Sequence, residues 1–215
     1  MPTPSHYDAF ATDFSSTRQH EWPEFQYAIQ RLKKGDRVLD LGCGNGRLRK
    51  FLDIQLVPKG HYFGFDISEN LLDLARQTNP EDHFFRGNFA ERLPFGNDNF
   101  DVIVGIASFH HLLTKADQLA CLSELHRVLK PHGHLVLTTW KLPQKHFWRN
   151  LKQPDFWLSR WKNYLVPFGA KKHPRFYRLV PDTELGRLLV KSGFEVLQSE
   201  LVRGRNWVVV GRKIL

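Results

Sequence analysis

The sequence predicts an α/β domain in which a mostly parallel sheet carries helices on both faces. Short apolar runs that end in polar residues alternate along the chain with amphipathic segments, which is typical of repeated strand–helix units. The run at residues 100–106 is almost continuously apolar, as a parallel strand covered on both faces requires. At 215 residues, the chain is long enough for a single domain (1–215) with an elaboration, but not for two independent domains.

The composition is that of an ordinary globular protein, with 41% hydrophobic and 25% charged residues. No apolar run approaches the length of a membrane span, and the N-terminus lacks the layout of a secretory signal. The two cysteines, Cys43 and Cys121, make neither a disulfide framework nor a metal site. We therefore expect a cytoplasmic protein with no metal and no membrane partner.

The chain ahead of the first strand is predicted to form a cap segment, residues 1–35. Residues 1–19 show no clear pattern and are expected to be irregular. Residues 24–33 are predicted to be helical, because Phe25, Ile29 and Leu32 share one face. Its position before the first strand would let this segment fold over a pocket at the sheet edge.

The segment VLDLGCGNG, residues 38–46, predicts a buried strand, a tight glycine turn and the start of a helix. Glycines let backbone amides approach a ligand that any Cβ would push away. A dinucleotide fingerprint needs a third glycine where Arg47 stands, and a P-loop needs a Gly-Lys-Ser/Thr that is missing. Both of these phosphate-binding classes are therefore excluded.

Two further strands are predicted to end in polar residues beside this turn. Residues 61–66 form a strand that ends in Asp66, and Ser68 is expected to cap the next helix. An acid at the end of the second strand can accept both ribose hydroxyls of a nucleoside, although a turn or capping role is the alternative. Residues 83–88 form a third strand that ends in Asn88.

The later chain continues the alternation and then interrupts it. After the strand at 100–106 come a loop with His110 and His111, a helix at 116–129 that closes at 130–133, and a strand at 135–140. Beyond the interruption, Asp182 is expected to cap a helix that ends at Gly193. Residues 194–201 and 207–211 are predicted to be closing strands.

The interruption, residues 141–173, is a basic and aromatic insertion. It holds eight Lys/Arg and one acid, so it carries +7 of the formal +9. Seven aromatic residues are interleaved with these cations, a combination that favours phosphate neutralisation and stacking on RNA bases. The structural alternative is that Phe156, Trp157 and Trp161, at helical spacing, dock the insertion on the core.

The glycine turn followed by Asp66 resembles the first motif of the Rossmann-like (class I) S-adenosylmethionine-dependent methyltransferases. Four outer segments are similar to the tRNA wobble-uridine methyltransferases, which esterify 5-carboxymethyluridine, and to the methyltransferase domain of the AlkB-homologue tRNA hydroxylases. These segments are FSSTR with Trp22-Pro23, LVPF at 165–168, RFYRL at 175–179 with Glu184-Leu185, and Asn206-Trp207. Phe168 stands where that family has Trp, and Arg178 stands where His is usual.

The resemblance implies a seven-stranded, mostly parallel sheet, S-adenosyl-L-methionine as cofactor and tRNA as partner. It also implies a small zinc-containing activator protein, with which eukaryotic relatives work. Asn88 stands where the family commonly has an Asp that pairs with adenine, and its carbonyl can still accept that bond. The expected cofactor-binding residues are Arg18, Asp40, Gly42, Cys43, Gly44, Gly46, Asp66, Ile67, Asn88, Phe89, Ile106 and Ala107.

Esterification of a carboxylate needs no general base, because the acceptor is already ionised at neutral pH. It needs the carboxylate to be held in line with the methyl group and partly stripped of water. Groups that the family motifs carry are the candidates for the catalytic site: His111, Arg175, Arg178 and Asn206. For each arginine a surface charge is the alternative, and either His110 or His111 could instead be a neutral core residue.

Two other functions remain open at this point. One is a small-molecule O-, N- or C-methyltransferase, in which the insertion forms an aromatic lid over an anionic metabolite. The other is a non-catalytic module of the same fold that binds RNA or a partner. The intact Asp40, glycine turn and Asp66 argue against the second.

Overall fold

The computed structural model describes residues 7–18, 20–169 and 173–215. Its main sheet has seven strands in the spatial order β3-β2-β1-β4-β5-β9-β8. These strands are β1 (Val38–Leu41), β2 (Tyr62–Asp66), β3 (His83–Arg86), β4 (Phe100–Gly105), β5 (Leu129–Trp140), β8 (Phe194–Val202) and β9 (Asn206–Lys213). The first five run parallel, and β9 lies antiparallel between β5 and β8, so the predicted α/β fold with a mostly parallel sheet is confirmed.

The strand order reverses direction at β1. Leu39 pairs with Phe63 of β2 on one side and with Ile103 of β4 on the other. Chain connections therefore leave in opposite directions from β1 and β4, and a crevice opens at their carboxyl ends. Open α/β sheets bind ligands at such a point.

Helices cover both faces of the sheet. They are α1 (Ala11–Ser16), α2 (Phe25–Ile29), α3 (Glu69–Thr78), α4 (Lys115–Val128), α5 (Gln144–Asn150), α6 (Pro154–Leu158) and α7 (Asp182–Lys191). One buried cluster joins Ile103 and Val209 to α4 and α7. A second joins Val104 and Val208 to α2. Alternate side chains of one strand therefore enter opposite clusters, as a strand buried on both faces requires.

Several predicted boundaries are corrected by the structure. Residues 8–16 are not irregular, because they form a 3-10 turn (Asp8–Phe10) that runs into α1. The predicted helix at 24–33 is regular only in α2, and the chain after it continues as tight turns. The segment after the glycine turn is a 3-10 helix (Arg47–Phe51) in which Arg49 forms a buried ion pair with Asp82 at 2.6 Å.

The caps of α3 and α7 test three further expectations. Ser68 caps α3, because its hydroxyl accepts the amide of Leu71 at 3.3 Å, and Gly193 follows α7 with φ of 86°, so both predictions are confirmed. Asp182 is not the cap of α7: Pro181 holds that position, and the Asp182 carboxylate accepts the Ser199 hydroxyl instead.

The strand predicted from residue 135 begins earlier, at Leu129. Leu129 pairs with Phe100, and His134 pairs with Val102, so the predicted turn at 130–133 bulges out of the ladder between these two pairs. His132 adopts φ of 63° within this bulge.

The insertion contains α5, α6 and β6 (Asn163–Leu165), and β6 pairs antiparallel with β7 (Phe176–Arg178), which lies just after the insertion. Their shared interior is a third buried cluster, which includes Phe156, Tyr164 and Tyr177. Lys171 and Lys172, two of the cations counted in the insertion, lie outside the described residues.

Three further properties follow from the described part of the chain. None of its helices has the length and apolarity that crossing a membrane requires. Within residues 7–18, 20–169 and 173–215, no three metal-ligating side chains gather into a metal site. Cys43 and Cys121 are free and buried.

Candidate functional site

A cavity of about 250 Å³ opens at the carboxyl ends of β1, β2 and β4. Residues of the N-terminal segment around α1 and residues 174–177 form other parts of its wall. Every predicted cofactor-binding residue lines this cavity except Gly46. Of the four predicted catalytic residues, His111 and Arg175 line it, whereas Arg178 and Asn206 do not.

The three glycines of the turn all have positive φ, but their surroundings differ. A Cβ on Gly42 would lie 2.4 Å from the Cβ of Ser108, and one on Gly46 would lie 3.1 Å from the Cβ of Ala75. Packing therefore excludes side chains at both positions. A Cβ on Gly44 would meet nothing closer than 3.9 Å, from Phe14 and Leu71. Gly44 thus leaves free space in the cavity, which a ligand can occupy.

Asp66 is held at the end of β2 by backbone amides. Its Oδ2 accepts the Gly44 amide at 2.8 Å, and its Oδ1 accepts the Ser68 amide at 2.9 Å. Burial raises the pKa of this carboxyl, and the same amide bonds oppose that rise. Each carboxylate oxygen retains a second lone pair, so Asp66 can still accept two ligand hydroxyls.

Asp40 is the second carboxylate of the cavity wall and lies at the end of β1. Tyr62 donates its hydroxyl to Asp40 Oδ2 at 2.5 Å. Burial raises the pKa of Asp40 to about 7, although the Tyr62 bond and the charge of Arg47 lower it. Burial also lowers the pKa of Arg47 to about 10. The Arg47 guanidinium lies over the Trp22 ring at 4.2 Å.

The opposite wall of the cavity is cationic and aromatic. The Arg175 side chain is 7% exposed and lies over the rings of Phe168, Tyr177 and Trp140 at 4.7, 5.2 and 5.5 Å. Arg18 also lies over the Phe168 ring, at 5.1 Å. Burial, followed by the charge of Arg175, lowers the pKa of Arg18.

Neither of these arginines forms an ion pair with an acid anywhere in the described part of the chain. The Nε of Arg175 has no hydrogen-bond partner there either. Buried cations are normally paired with an anion. This wall is therefore complementary to an anionic ligand.

His111 is fixed in one tautomer by its two partners. Its Nδ1 donates to the Phe176 carbonyl at 3.1 Å, because a carbonyl can only accept. Its Nε2 then accepts the Tyr7 hydroxyl at 3.1 Å. Burial, with a smaller contribution from the charge of Arg175, lowers the pKa of His111 to about 4, so the ring is neutral at pH 7.

His110 and Ser108 present polar atoms to the cavity without partners in the described residues. Both ring nitrogens of His110 and the Ser108 hydroxyl lack hydrogen bonds, and His110 is 1% exposed. Burial lowers the pKa of His110 well below its usual value. Ala107, just before Ser108, has φ of 55° and donates its amide to Thr138 Oγ1 at 2.8 Å. Such left-handed backbone at a non-glycine residue is typical of functional sites.

The remaining predicted site residues have other partners. Arg178 donates to the Leu113 carbonyl at 3.0 Å and to Asn163 Oδ1 at 3.2 Å, outside the cavity. Asn206 donates to Glu24 Oε1 at 2.6 Å and thereby ties β9 to the start of α2. Gly46 packs against Ala75 of α3 and Phe84 of β3. Asn88 lines the cavity, and its Oδ1 accepts the Ala90 amide at 3.0 Å.

Sequence reasoning missed several cavity residues. Tyr7 lay in a segment predicted to be irregular, Ser108 lay in the loop after a predicted strand, Trp140 was assigned only to a strand, and Tyr177 belonged to the RFYRL motif without a role of its own. All four line the cavity. For Ser108 and Trp140 the available signal was their position at strand ends, because carboxyl ends of parallel strands meet at one edge.

Comparison with known proteins agrees with this geometry. A family model described as a methyltransferase domain matches residues 14–199. A tRNA (carboxymethyluridine(34)-5-O)-methyltransferase of Arabidopsis thaliana is 35% identical over 186 residues, which are 83% of this chain and 44% of that protein. The chain therefore spans less than half the length of this plant relative.

A relative of similar length carries the same name. The tRNA (carboxymethyluridine(34)-5-O)-methyltransferase of Schizosaccharomyces pombe is 27% identical over 220 residues, 94% of this chain and 92% of that protein. A methyltransferase of Haloferax volcanii, solved in complex with the Trm112 methyltransferase activator, has a TM-score of 0.71 at 19% identity and covers 100% of this chain and 98% of its own. The TM-score shows that the two chains share a fold, and at 19% identity the comparison shows the fold alone.

Proposed function

Because this chain belongs to the S-adenosylmethionine-dependent methyltransferase family, we propose that it methylates the carboxymethyl group of a wobble uridine in tRNA. The observation that carries the proposal is Arg175. It is a buried cation in an aromatic cage beside the cavity, with no acid to pair with in the described residues. A carboxylate acceptor supplies the missing anion.

The wall of the cavity that carries Asp40 and Asp66, which we call the acidic wall, fits the cofactor. When bound, S-adenosylmethionine supplies a methyl group on a positively charged sulfur. Asp66 retains lone pairs for the ribose hydroxyls, and the Asp40 carboxyl suits the ammonium group. The free space at Gly44 admits the cofactor where a side chain would block it. Asn88 and Phe89 line the part of the cavity where the base would lie.

The chain's own residues orient the acceptor. An ionised carboxylate is already nucleophilic, so no residue has to remove a proton. Arg175 holds the acceptor carboxylate through charge-assisted hydrogen bonds, and Arg18, which also contacts the Phe168 ring, adds positive charge. Bound S-adenosylmethionine would supply the methyl group, and the two arginines would hold one carboxylate oxygen towards it.

The covering segments keep water out of this step. Tyr7, Phe14 and Trp22 lie on the solvent side of the cavity, and Trp140 and Tyr177 stack at 4.7 Å on its inner wall. Exclusion of water strengthens the Arg175 interaction and strips solvent from the carboxylate. His111, neutral and fixed by Tyr7 and Phe176, supports this wall without carrying charge.

The test is mass spectrometry of tRNA nucleosides after incubation of the protein with isotopically labelled S-adenosylmethionine and tRNA that lacks the ester. We expect label on carboxymethyluridine in a product that mild base hydrolyses, because esters are base-labile and C- or N-methyl groups are not. A base-stable product, or label only on free small acids, contradicts the proposal and favours a small-molecule methyltransferase.

The same assay also tests whether this chain works with an activator protein. Since the Haloferax volcanii neighbour was solved with an activator, we propose that this chain also binds a small protein of that kind. The assay is therefore run with and without a candidate activator. Stimulation of methyl transfer, together with co-elution of the two chains, supports the partner, and full activity of the isolated chain contradicts it.

A further inference from the structure

Three tryptophans and a leucine form an exposed surface on the insertion. Trp148 lies on α5, Trp157 and Leu158 lie on α6, and Trp161 lies in the turn that follows. Their exposed fractions are 62, 53, 83 and 51%, respectively. We call this group the tryptophan surface. Large exposed apolar side chains grouped on one part of a protein are typical of a binding surface.

These tryptophans do not anchor the insertion to the rest of the chain. That role belongs to other aromatic residues: Phe156 is fully buried, and Tyr164 is 6% exposed. Phe147 packs on Phe156 with ring centroids 5.4 Å apart. Of the three residues that sequence spacing assigned to docking, only Phe156 docks, so Trp157 and Trp161 are left for another purpose.

The exposed rings are held in place. Trp157 donates its indole N–H to the Leu151 carbonyl at 2.7 Å, and the Trp157 and Trp161 rings meet edge to face at 5.9 Å. Arg160 and Trp161 both have left-handed backbone, with φ of 53° and 64°. Consecutive left-handed non-glycine residues are strained, so the turn keeps Trp161 beside Trp157 against a local preference.

Four cations lie close to these rings along the chain. Lys145, Arg149, Lys152 and Arg160 are exposed, and none of them pairs with an acid in the described residues. Lys162 is different, because it forms an ion pair with Glu184 at 2.5 Å. The four exposed cations are therefore available to a ligand.

We infer that the tryptophan surface binds the unpaired loop of an RNA hairpin, with bases stacked on Trp148, Trp157 and Trp161 and phosphates on the four cations. Rings with a free face stack on bases of any identity, and cations neutralise the backbone beside them. This inference rests on the proposed function, since it assigns the surface that brings the tRNA anticodon loop to the cavity.

Packed side chains link the tryptophan surface to the cavity wall. Trp157 packs on Phe156 with ring centroids 6.1 Å apart, and Phe156 contacts Tyr164 with ring centroids 5.1 Å apart. Tyr164 pairs with Tyr177 across β6 and β7. Tyr177 lines the cavity and contacts Arg175. A loop bound on the tryptophans can turn one base towards the cavity past the edge of this cluster.

The test measures binding of the full chain to an RNA hairpin with an anticodon loop, as a function of KCl concentration. We expect Trp157→Ala and Trp161→Ala each to weaken binding by about tenfold, because stacking on that ring is lost. Trp157→Phe keeps a stacking face and retains most of the affinity. Leu158→Ala is the matched control, since it removes an exposed apolar side chain that cannot stack, and it should change affinity less than about twofold.

The cations are tested through the salt dependence. We expect the association constant of the wild type to fall steeply with KCl concentration. Replacement of Lys145, Arg149, Lys152 and Arg160 together by Gln should make the negative slope of log K against log salt shallower by about 3, at roughly 0.7–0.9 per phosphate contact. The matched control replaces four exposed lysines outside the insertion, Lys33, Lys34, Lys50 and Lys191, and should leave the slope unchanged. The thermal midpoint of each variant verifies that it is folded.

The possible outcomes separate the surface from the chemistry. Wild-type affinity in both tryptophan variants, or equal losses in Trp157→Ala and Leu158→Ala, overturns the inference while the methyl-transfer assay stands. If the tryptophan variants lose binding to phosphatidylserine vesicles but not to RNA, a membrane is the occupant and the inference is wrong. Tryptophan-dependent RNA binding without ester formation upholds the surface and contradicts the proposed function.

Discussion

The two walls of the cavity are built in opposite ways. On the wall formed by the strand ends, Asp40 and Asp66 are already hydrogen-bonded to Tyr62 and to the amides of Gly44 and Ser68. On the wall formed by α1, the insertion and β7, the cation Arg175 has no acid to pair with in the described residues, and its Nε is without a bond.

The difference indicates the charge of the ligand region that each wall can bind. Carboxylates held by backbone amides are fixed in position by the fold, and they accept additional donors such as hydroxyls without rearranging. A buried cation without an anion is held at a cost in stability, which a bound anion offsets. The first wall therefore suits a neutral or cationic ligand region, and the second wall requires a negatively charged one.

The largest expected effect is at Arg175. Arg175→Met should lower kcat/KM for the carboxylate acceptor by about 100-fold or more, because a charge-assisted contact in a dry site is lost. The thermal midpoint should stay the same or rise, since an apolar side chain replaces a buried charge that has no acid beside it in the described residues. Steady-state kinetics and thermal unfolding measure the two effects.

Arg178→Met is the matched comparison, three residues along the same segment. Its guanidinium bonds the Leu113 carbonyl and Asn163 outside the cavity. We expect this variant to lose stability by about 1–2 kcal/mol and to keep its KM for the acceptor, because a hydrogen bond to a charged group is lost from the scaffold. A larger kinetic loss at Arg178 than at Arg175 would reverse the assignment of the cationic wall.

The second prediction concerns the pH dependence of stability through Asp40. Its pKa of about 7 in the folded state lies above the ordinary 3.8, so the folded chain retains a proton that the unfolded chain releases. The free energy of unfolding should therefore fall as pH rises from about 4 to about 7. Asp40→Asn should remove this fall and exceed the wild type by roughly 2–4 kcal/mol at pH 8, with little difference at pH 4. Denaturation curves measure this free energy at each pH. An equal change with pH in the two proteins would contradict a raised pKa at Asp40.

The third prediction tests the ribose role of Asp66. Asp66→Asn should weaken binding of S-adenosylhomocysteine by roughly 10- to 100-fold, because one acceptor oxygen becomes a donor that faces a backbone amide. Isothermal titration calorimetry measures the affinity. Asn88→Ala, at the neighbouring strand end, should cost only about threefold, because a single neutral hydrogen bond is involved. Equal losses at the two positions would mean that Asp66 has no special part in cofactor binding.

The smallest effect is expected at Phe168, whose ring both arginines contact. Phe168→Leu should raise KM for the acceptor by about threefold, because the cation–π contacts that position Arg18 and Arg175 are weakened. Phe168→Trp, which introduces the residue that the resembled family carries, should leave KM unchanged or lower it. Kinetics with the two variants side by side test the contribution, and a higher KM with Trp than with Leu would contradict it.

The sequence by itself determined the parallel sheet, its order of strands and helices, and the acidic wall of the cavity. These depend on local signals: an apolar run, a glycine turn that needs positive φ, and a polar residue at each strand end. Because the carboxyl ends of parallel strands meet at one edge, Asp40, Asp66 and Asn88 were brought together by topology alone. Gly46 carried the same signal but serves packing against α3, which spacing does not distinguish from ligand contact.

Only the tertiary structure decided the cationic wall and the tryptophan surface. Arg18 lies far from Phe168 and Arg175 along the chain, and it meets them only because α1 and β7 fold over the same sheet edge. Arg175 and Arg178 are the same residue type in the same short segment, so the sequence does not distinguish them. Side chains alternate between the two sides of an extended chain, and on its side Arg178 donates to the Leu113 carbonyl. Burial of an aromatic ring likewise depends on its packed neighbours, which is why Phe156 lies in the core while Trp157 and Trp161 face solvent.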